Sequence, residues 1–396
     1  MLSRLLPICC VLLALVCTPA WAMLSERVWE QLSEIHEQIS EDQLDEARSA
    51  LDSLAGQVSD NSHEAARVLE ARARLHEVRG EADTALELIG EALAIKAIPD
   101  DLRLHLEYAR ARLLVEQGEF ETALARLDDW FEAVASPAPR AWMLRALIYL
   151  ELERADDAIA AARSAIDMAS QPRADWYGFL AAALMREELW SEARAVLQNM
   201  LRHWPLRARY WEQLAVVQLQ LEDPAGALTT LRAADAAGLL ARESAIVRLV
   251  RLAMMEGLPA PGARLLEQAL EAELIEGTDA HLELLADAWL MAREWALAMA
   301  VLEQLATGDE NGDTWLRIAR LAFERQQPQA AVGYGRRALD AGVDNPSRAW
   351  LLKGMAHIEL NQYEEAAHAF EQASEDEAVA RQAGQWLRYI EAIDTR

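Results

Sequence analysis

A small residue returns at near-constant spacing along this chain: Ala47, Ala85, Ala123, Ala158, Ala193, Ala227, Gly262, Ala298, Ala331 and Ala366, 33 to 38 residues apart. No other feature constrains the fold as strongly. A period between about 20 and 50 residues marks a stack of like supersecondary units. Each unit buries its apolar side against its neighbours, so the array grows without one closed core. The 396 residues therefore need not divide into ordinary domains of about 100–200 residues.

Two further positions recur in register with this anchor. An aromatic stands sixteen residues before it, as Trp142, Tyr177, Trp211, Trp315 and Trp350. A second small residue stands twelve before it, as Ala73, Ala111, Ala146, Ala181, Ala215, Ala286, Ala319 and Gly354. A third often follows seven later, as in Ala92, Ala165, Ala234, Ala269, Ala338 and Ala373. Small residues let two helices approach closely, and the aromatic fills the gap between pairs. Each period thus reads as two amphipathic helices joined by a short turn. The pattern resembles the tetratricopeptide repeat, most clearly in Trp350–Gly354 followed by Tyr363, Ala366, Phe370 and Ala373. The resemblance implies an all-α solenoid, a right-handed superhelix of about ten helix-turn-helix repeats over residues 24–375. Some units depart from the pattern. Pro259 and Pro328 fall at the start of second helices, where a missing N–H costs little. Gly262 replaces the anchor alanine, and Leu54, Trp130 and Met200 replace the third small residue. Residues 376–396 read as a capping helix, with Trp386, Leu387 and Ile390 on one side to cover the last apolar face.

Residues 1–22 read as a segment apart from the fold. A short positive start, the apolar run Leu5–Val16 and the small-x-small Ala20-Trp21-Ala22 match a cleaved signal peptide. The run is too short for a membrane span, which needs about 20 residues. An uncleaved N-terminal anchor is the alternative. Cys9, Cys10 and Cys17 all lie in this segment, so the mature chain is expected to hold no thiol or disulfide. A thiol-free exported chain suits an oxidising compartment such as the bacterial periplasm. The net charge of −27 repels nucleic acid and anionic headgroups and favours basic partners.

The sequence offers no catalytic constellation, and neither cofactor nor metal is expected. The eight histidines form no zinc-type pair, and no phosphate-cradling Gly-rich loop or nucleophile elbow is present. His76 and His357 sit where packed helix residues are expected. Asp309-Glu310-Asn311-Gly312-Asp313 is a fragment of a calcium loop without its full spacing or closing Glu. The non-enzymatic reading is therefore preferred.

Positions 2, 5, 9, 12 and 13 of each unit (18, 15, 11, 8 and 7 residues before the anchor) are predicted to face the inner surface. The candidate partner-binding groove read from them is Met143, Leu147, Met185, Arg186, Val216, Leu219, Val247, Arg251, Met254, Met255, Leu290, Met291, Leu316, Arg320, Phe323 and Met355. Arg74, Arg112, Glu116 and Leu351 occupy the same positions. More than half of the eleven methionines fall there, and methionine suits surfaces that accept varied partners. An extended peptide or amphipathic helix could lie along such a stripe, with arginines fixing its carboxylates. The competing reading is packing of these residues against neighbouring helices.

Several stretches are more specific than the anchors: Gly238–Ser244, Leu282–Trp289 with Ala292-Arg293-Glu294, Asn345–Trp350 and Gln385-Trp386-Leu387. Through them the chain resembles exported tetratricopeptide proteins that accompany TonB, ExbB and ExbD energy-transduction systems. The resemblance implies a periplasmic adaptor that holds a TonB-type or ExbD-type partner and associates with the envelope through it. It brings no catalytic residues. The alternative is a scaffold for envelope assembly, serving outer-membrane proteins, polysaccharide export or cell-wall synthesis.

Overall fold

In the computed structural model, residues 24–96, 98–171, 173–307 and 312–394 are described. The signal segment 1–22 and most of the calcium-loop fragment, residues 309–311, lie outside them. Among the described residues every regular element is an α-helix. The chain forms two compact units, up to Val196 and from Leu197 onward.

The first unit holds α1 (Glu26–Ser40), α2 (Leu44–Ala55), α3 (His63–Val78), α4 (Ala82–Ala94), α5 (Asp100–Glu116), α6 (Phe120–Ala133), α7 (Pro139–Glu151), α8 (Ala155–Met168) and α9 (Ala174–Arg186). The unit boundary falls within α10 (Trp190–His203). The second unit continues with α11 (Ala208–Gln220), α12 (Pro224–Ala236), α13 (Glu243–Met255), α14 (Pro259–Glu271), α15 (Asp279–Met291), α16 (Trp295–Ala306), α17 (Asp313–Glu324), α18 (Pro328–Asp340), α19 (Pro346–Glu359), α20 (Tyr363–Ala373) and α21 (Glu377–Asp394). From α1 to α9, and again from α11 to α21, each helix packs on the next in sequence.

The anchors explain why the helices pair. Nine anchor alanines are wholly buried, at 0 % exposure. The small residues twelve earlier are buried against them. The seventh repeat exchanges the sizes of the usual pair, with Val250 on α13 and Gly262 on α14. A Cβ added at Gly262 would lie 3.2 Å from both the Ala253 Cβ and the Val250 carbonyl oxygen. The glycine therefore answers a local closeness of the two helices. In the last repeat, a Cβ at Gly354 would meet the buried Phe370 ring at 2.6 Å. Phe370 in turn stacks on Trp386 of α21 (5.8 Å, 4°). Trp386, Leu387 and Ile390 pack there against Leu351, Ala366 and Ala373.

The turn inside each repeat is the same object ten times over. The residue five before each anchor is left-handed: Asp42, Gly80, Gly118, Glu153, Glu188, Glu222, Gly257, Arg293, Gln326 and Asn361, with φ between 56° and 78°. The next residue's N–H then donates to the carbonyl five residues back, as in Gln43 to Gln38 (2.9 Å), Glu119 to Leu114 (2.9 Å) and Gln362 to His357 (2.9 Å). This is the Schellman closure, which satisfies carbonyls that a helix end leaves open. Only three of the ten left-handed residues are glycine, although a side chain there costs about 1 kcal/mol or more.

Candidate functional site

A concentration of convergent polar groups lies in the first unit. A cavity of about 440 Å³ is lined by His36 of α1, by Glu70, Ala73, Arg74 and Glu77 of α3, and by Ile89 of α4. His105, Tyr108, Ala109, Arg112 and Leu113 of α5 and Arg140 of α7 complete it. Its eight polar or aromatic lining residues all occupy the inner-face positions of the first four repeats. Successive first helices thus present their charged faces to one space. Ala73, Ala109, Ile89 and Leu113 form its apolar floor.

Two carboxylates are fixed inside it. Glu77, 12 % exposed, takes both arms of the Arg112 guanidinium, one at 2.7 Å (Nη2 to Oε2). It also accepts from Arg74 at 2.9 Å. Burial pushes the Glu77 carboxyl up, but the Arg112 hydrogen bonds and the charges of Arg112 and Arg74 outweigh it. Its pKa falls below the ordinary value. Glu70, 18 % exposed, meets Arg67 at 3.0 Å and His105 Nε2 at 2.8 Å. Its pKa is likewise lowered: burial opposes ionisation, and the bond and charge of His105 with those of Arg67 prevail. Glu116 moves the other way, raised by burial and by repulsion from Glu77.

Two groups stay uncommitted. Among the described residues neither the Arg140 guanidinium nor the Tyr108 hydroxyl has a hydrogen-bond or ion-pair partner. Burial raises the Tyr108 pKa, and the charges of Arg140 and Arg112 draw it back in part. The Tyr108 ring is held from behind. It lies 5.1 Å from Trp130, whose Nε1 donates to the Leu104 carbonyl at 2.9 Å. Trp130, one of the departures from the third small residue, thus backs a residue that lines the cavity.

The sixteen candidate groove residues divide. Met255 (70 % exposed), Met291 (55 %) and Leu147 (36 %) face solvent. Arg186, Arg251 and Arg320 are exposed and have no ion pair among the described residues. Met143, Met185, Val216 and Val247 are half-buried. Leu219, Met254 and Leu290 pack against the core of α11–α17. Phe323 and Met355 pack against neighbouring apolar clusters. Leu316 is no surface residue. It is 7 % exposed and packs with Ala319, Ala338, Val343, Ala349 and Leu352, because its helix turns that position into the α17–α19 seam. Leu351 is buried likewise.

Glu70, Glu77, His36, His105, Tyr108 and Arg140 stand outside the sixteen candidates. All six obey the same position rule. The methionine stripe is an apolar signal, whereas the register alone places all the polar cavity residues on the inner face of the first four repeats. His76 and His357 each bond the residue that follows their turn, Glu81 and Gln362. No group of three or more His, Cys, Asp or Glu among the described residues is placed to hold a metal. No described helix is long and apolar enough to cross a membrane.

The tetratricopeptide repeat family model matches residues 108–174, 180–238 and 316–380. No curated protein matches the sequence. Among solved structures the chain is similar to apo RapI, at 11 % identity over 80 % of this chain and 97 % of that one, with a TM-score of 0.47. It is similar to YrrB, described as a TPR protein with an unusual peptide-binding site, at 15 % identity over 50 % of this chain and 95 % of that one (TM-score 0.41). A third is the TPR2AB domain of yeast Sti1 in its pHSP90 complex, at 13 % identity over 64 % and 98 % (TM-score 0.33). The assignment rests on the matched repeats and on the ten-fold recurrence of anchor and turn, and by these the chain is a tetratricopeptide-repeat protein.

Proposed function

We propose that the protein is a non-enzymatic scaffold that holds a segment of a partner protein on the inner-face positions of its first helices. The observation that carries this is the convergence of eight such positions from four consecutive repeats on one cavity in the first unit. Repeat arrays use such surfaces to bind other proteins. The second unit offers a different set at the same positions, with exposed Met255 and Met291 and the unpaired Arg251 and Arg320.

Export to the periplasm is supported by the composition of residues 1–22. A role beside a TonB-type system is supported by the resembling segments Gly238–Ser244, Leu282–Trp289 and Asn345–Trp350. The excess of carboxylates over the rest of the surface suits the basic, proline-rich linkers typical of TonB-like partners.

Photo-crosslinkers placed in living cells at Arg140 and at Met291 test the reading. Recovery of TonB, ExbB or ExbD-type proteins supports it. Recovery of envelope-assembly machinery alone transfers the scaffold to that role. Adducts with no protein at all would end the scaffold reading. Sizing the mature N-terminus tests export, with cleavage after Ala22 as the expected result.

A further inference from the structure

Of the 38 basic side chains only two are lysines, Lys96 and Lys353. The chain thus meets nearly every need for a fixed positive charge with arginine, which keeps its proton in proteins. Lysine gives its proton up more readily once it is buried. Lys96 is exposed, whereas Lys353 is half-buried on α19. Lys353 stands thirteen residues before its anchor Ala366, outside the inner-face positions.

Three helices build its surroundings. On α18 a Cβ at Gly335 would come within 2.7 Å of the Lys353 Cγ. A mid-helix glycine sacrifices helix propensity, and here it leaves room for the lysine stem. On α19 the amine nitrogen sits over the Trp350 ring, 4.1 Å from its centroid. His357 of α19 and Glu364, Glu365 and His368 of α20 join these two in lining one cavity. Its volume of about 430 Å³ falls within the ~300–1,000 Å³ typical of sites for small ligands. Two carboxylates line the cavity, yet the Lys353 amine has no ion pair or hydrogen bond among the described residues. Burial lowers its pKa from the ordinary value; the Asp340 charge opposes this and the Arg336 charge adds to it. Desolvation beside a second cation is how a lysine becomes a nucleophile toward carbonyl carbon.

We propose that Lys353 captures a free small aldehyde with an aromatic body as a reversible imine in the α18–α20 cavity. The amine lone pair attacks the carbonyl carbon, and the C=N bond replaces C=O. Both amine hydrogens depart with the carbonyl oxygen as water, so no oxidant or reductant is consumed. His357 is placed to relay these protons. Its Nδ1 donates to Gln362 Oε1 at 2.7 Å, which leaves Nε2 as the base. The new bond starts above the Trp350 indole, along whose face a flat aromatic body can stack. This is stoichiometric capture without turnover, and it is independent of the scaffold reading.

The test is reductive trapping. The full chain at neutral pH is treated with benzaldehyde or propanal and cyanoborohydride, and peptide mass spectrometry follows the adduct at each lysine. Benzaldehyde is expected to label Lys353 roughly tenfold faster than Lys96. Propanal, which cannot stack, should show a smaller preference. In urea the two lysines should react alike. Lys353→Arg should lose the fast phase and leave the Lys96 rate unchanged. Three results overturn the proposal: equal rates at both lysines in the folded chain, a preference for Lys353 that survives urea, or slower reaction at Lys353. The last is the behaviour of a cation held over Trp350 for packing alone. Crosslinking from Arg140 and Met291 tests the scaffold reading separately, since neither residue lines this cavity.

Discussion

The same five positions per repeat look different in the two units. From α1 to α7 eleven of the twenty are Glu, Arg, His or Tyr, and eight of these line an open space. From α11 to α20 eleven of the twenty-five are Met, Leu, Val or Phe, and several of these sink into the seams between helices. The backbone aims both sets alike. Depth is then decided by what each side chain gains on leaving water, about 1.5–3 kcal/mol for a large apolar residue and a penalty for a charged one. A register rule therefore predicts direction, and hydrophobicity decides whether the residue remains available to a partner.

Substitution in the second unit should expose that difference most sharply. Leu316→Ala is expected to cost about 2–5 kcal/mol, the range for an emptied leucine site. Met255→Ser and Met291→Ser, at the same class of position, should stay within about 0.5 kcal/mol. Denaturant unfolding followed by circular dichroism would measure both. Near-equal losses for Leu316 and Met291 would erase the distinction between sunk and open positions.

In the first unit the corresponding change is Glu77→Ala. It strands Arg112 without its bidentate partner, and losing such a partner costs about 1–3 kcal/mol. Hydrogen exchange should place the loss in α3 and α5 and leave α17–α20 protected.

Acid offers a milder version of the same perturbation. The Glu70 and Glu77 carboxyls titrate below their ordinary value, so the unfolded chain binds protons first as the pH drops. Their contribution is fully present above the unfolded value of about 4.3 and fades as the pH falls through the lower folded values. Acid should thus open the first unit's inner face, and Glu77→Gln should flatten that part of the profile. A pH profile identical in parent and variant would show that the pair adds nothing.

The smallest effect is expected at the turns. Glu153→Gly and Arg293→Gly remove a side chain from a left-handed residue and should raise stability by about 0.5–1 kcal/mol. A loss would mean that these side chains hold the turn by contacts of their own.

How much of this could be read beforehand follows from the same physics. The pairing of helices was legible because close approach demands small residues, and Ala47 through Ala366 announce it at fixed intervals. The turns were hidden. Helix packing on both sides imposes the left-handed residue, so seven of the ten positions carry Asp, Glu, Arg, Gln or Asn and only three carry glycine. Trp130 looked like a defect at a small-residue position, yet it backs Tyr108 in the cavity. Leu316 could not be told from Met291 by spacing, since spacing says nothing of how far a neighbouring helix overhangs.

The ten turns carry one more consequence. Each is tied shut by main-chain amides, so the residue at its tip is spared any duty in holding the loop together. A fluorophore or spin probe fixed at 153 and another at 293 would each ride on a stiff mount. The distance between them would report directly whether the protein flexes when it takes hold of its cargo.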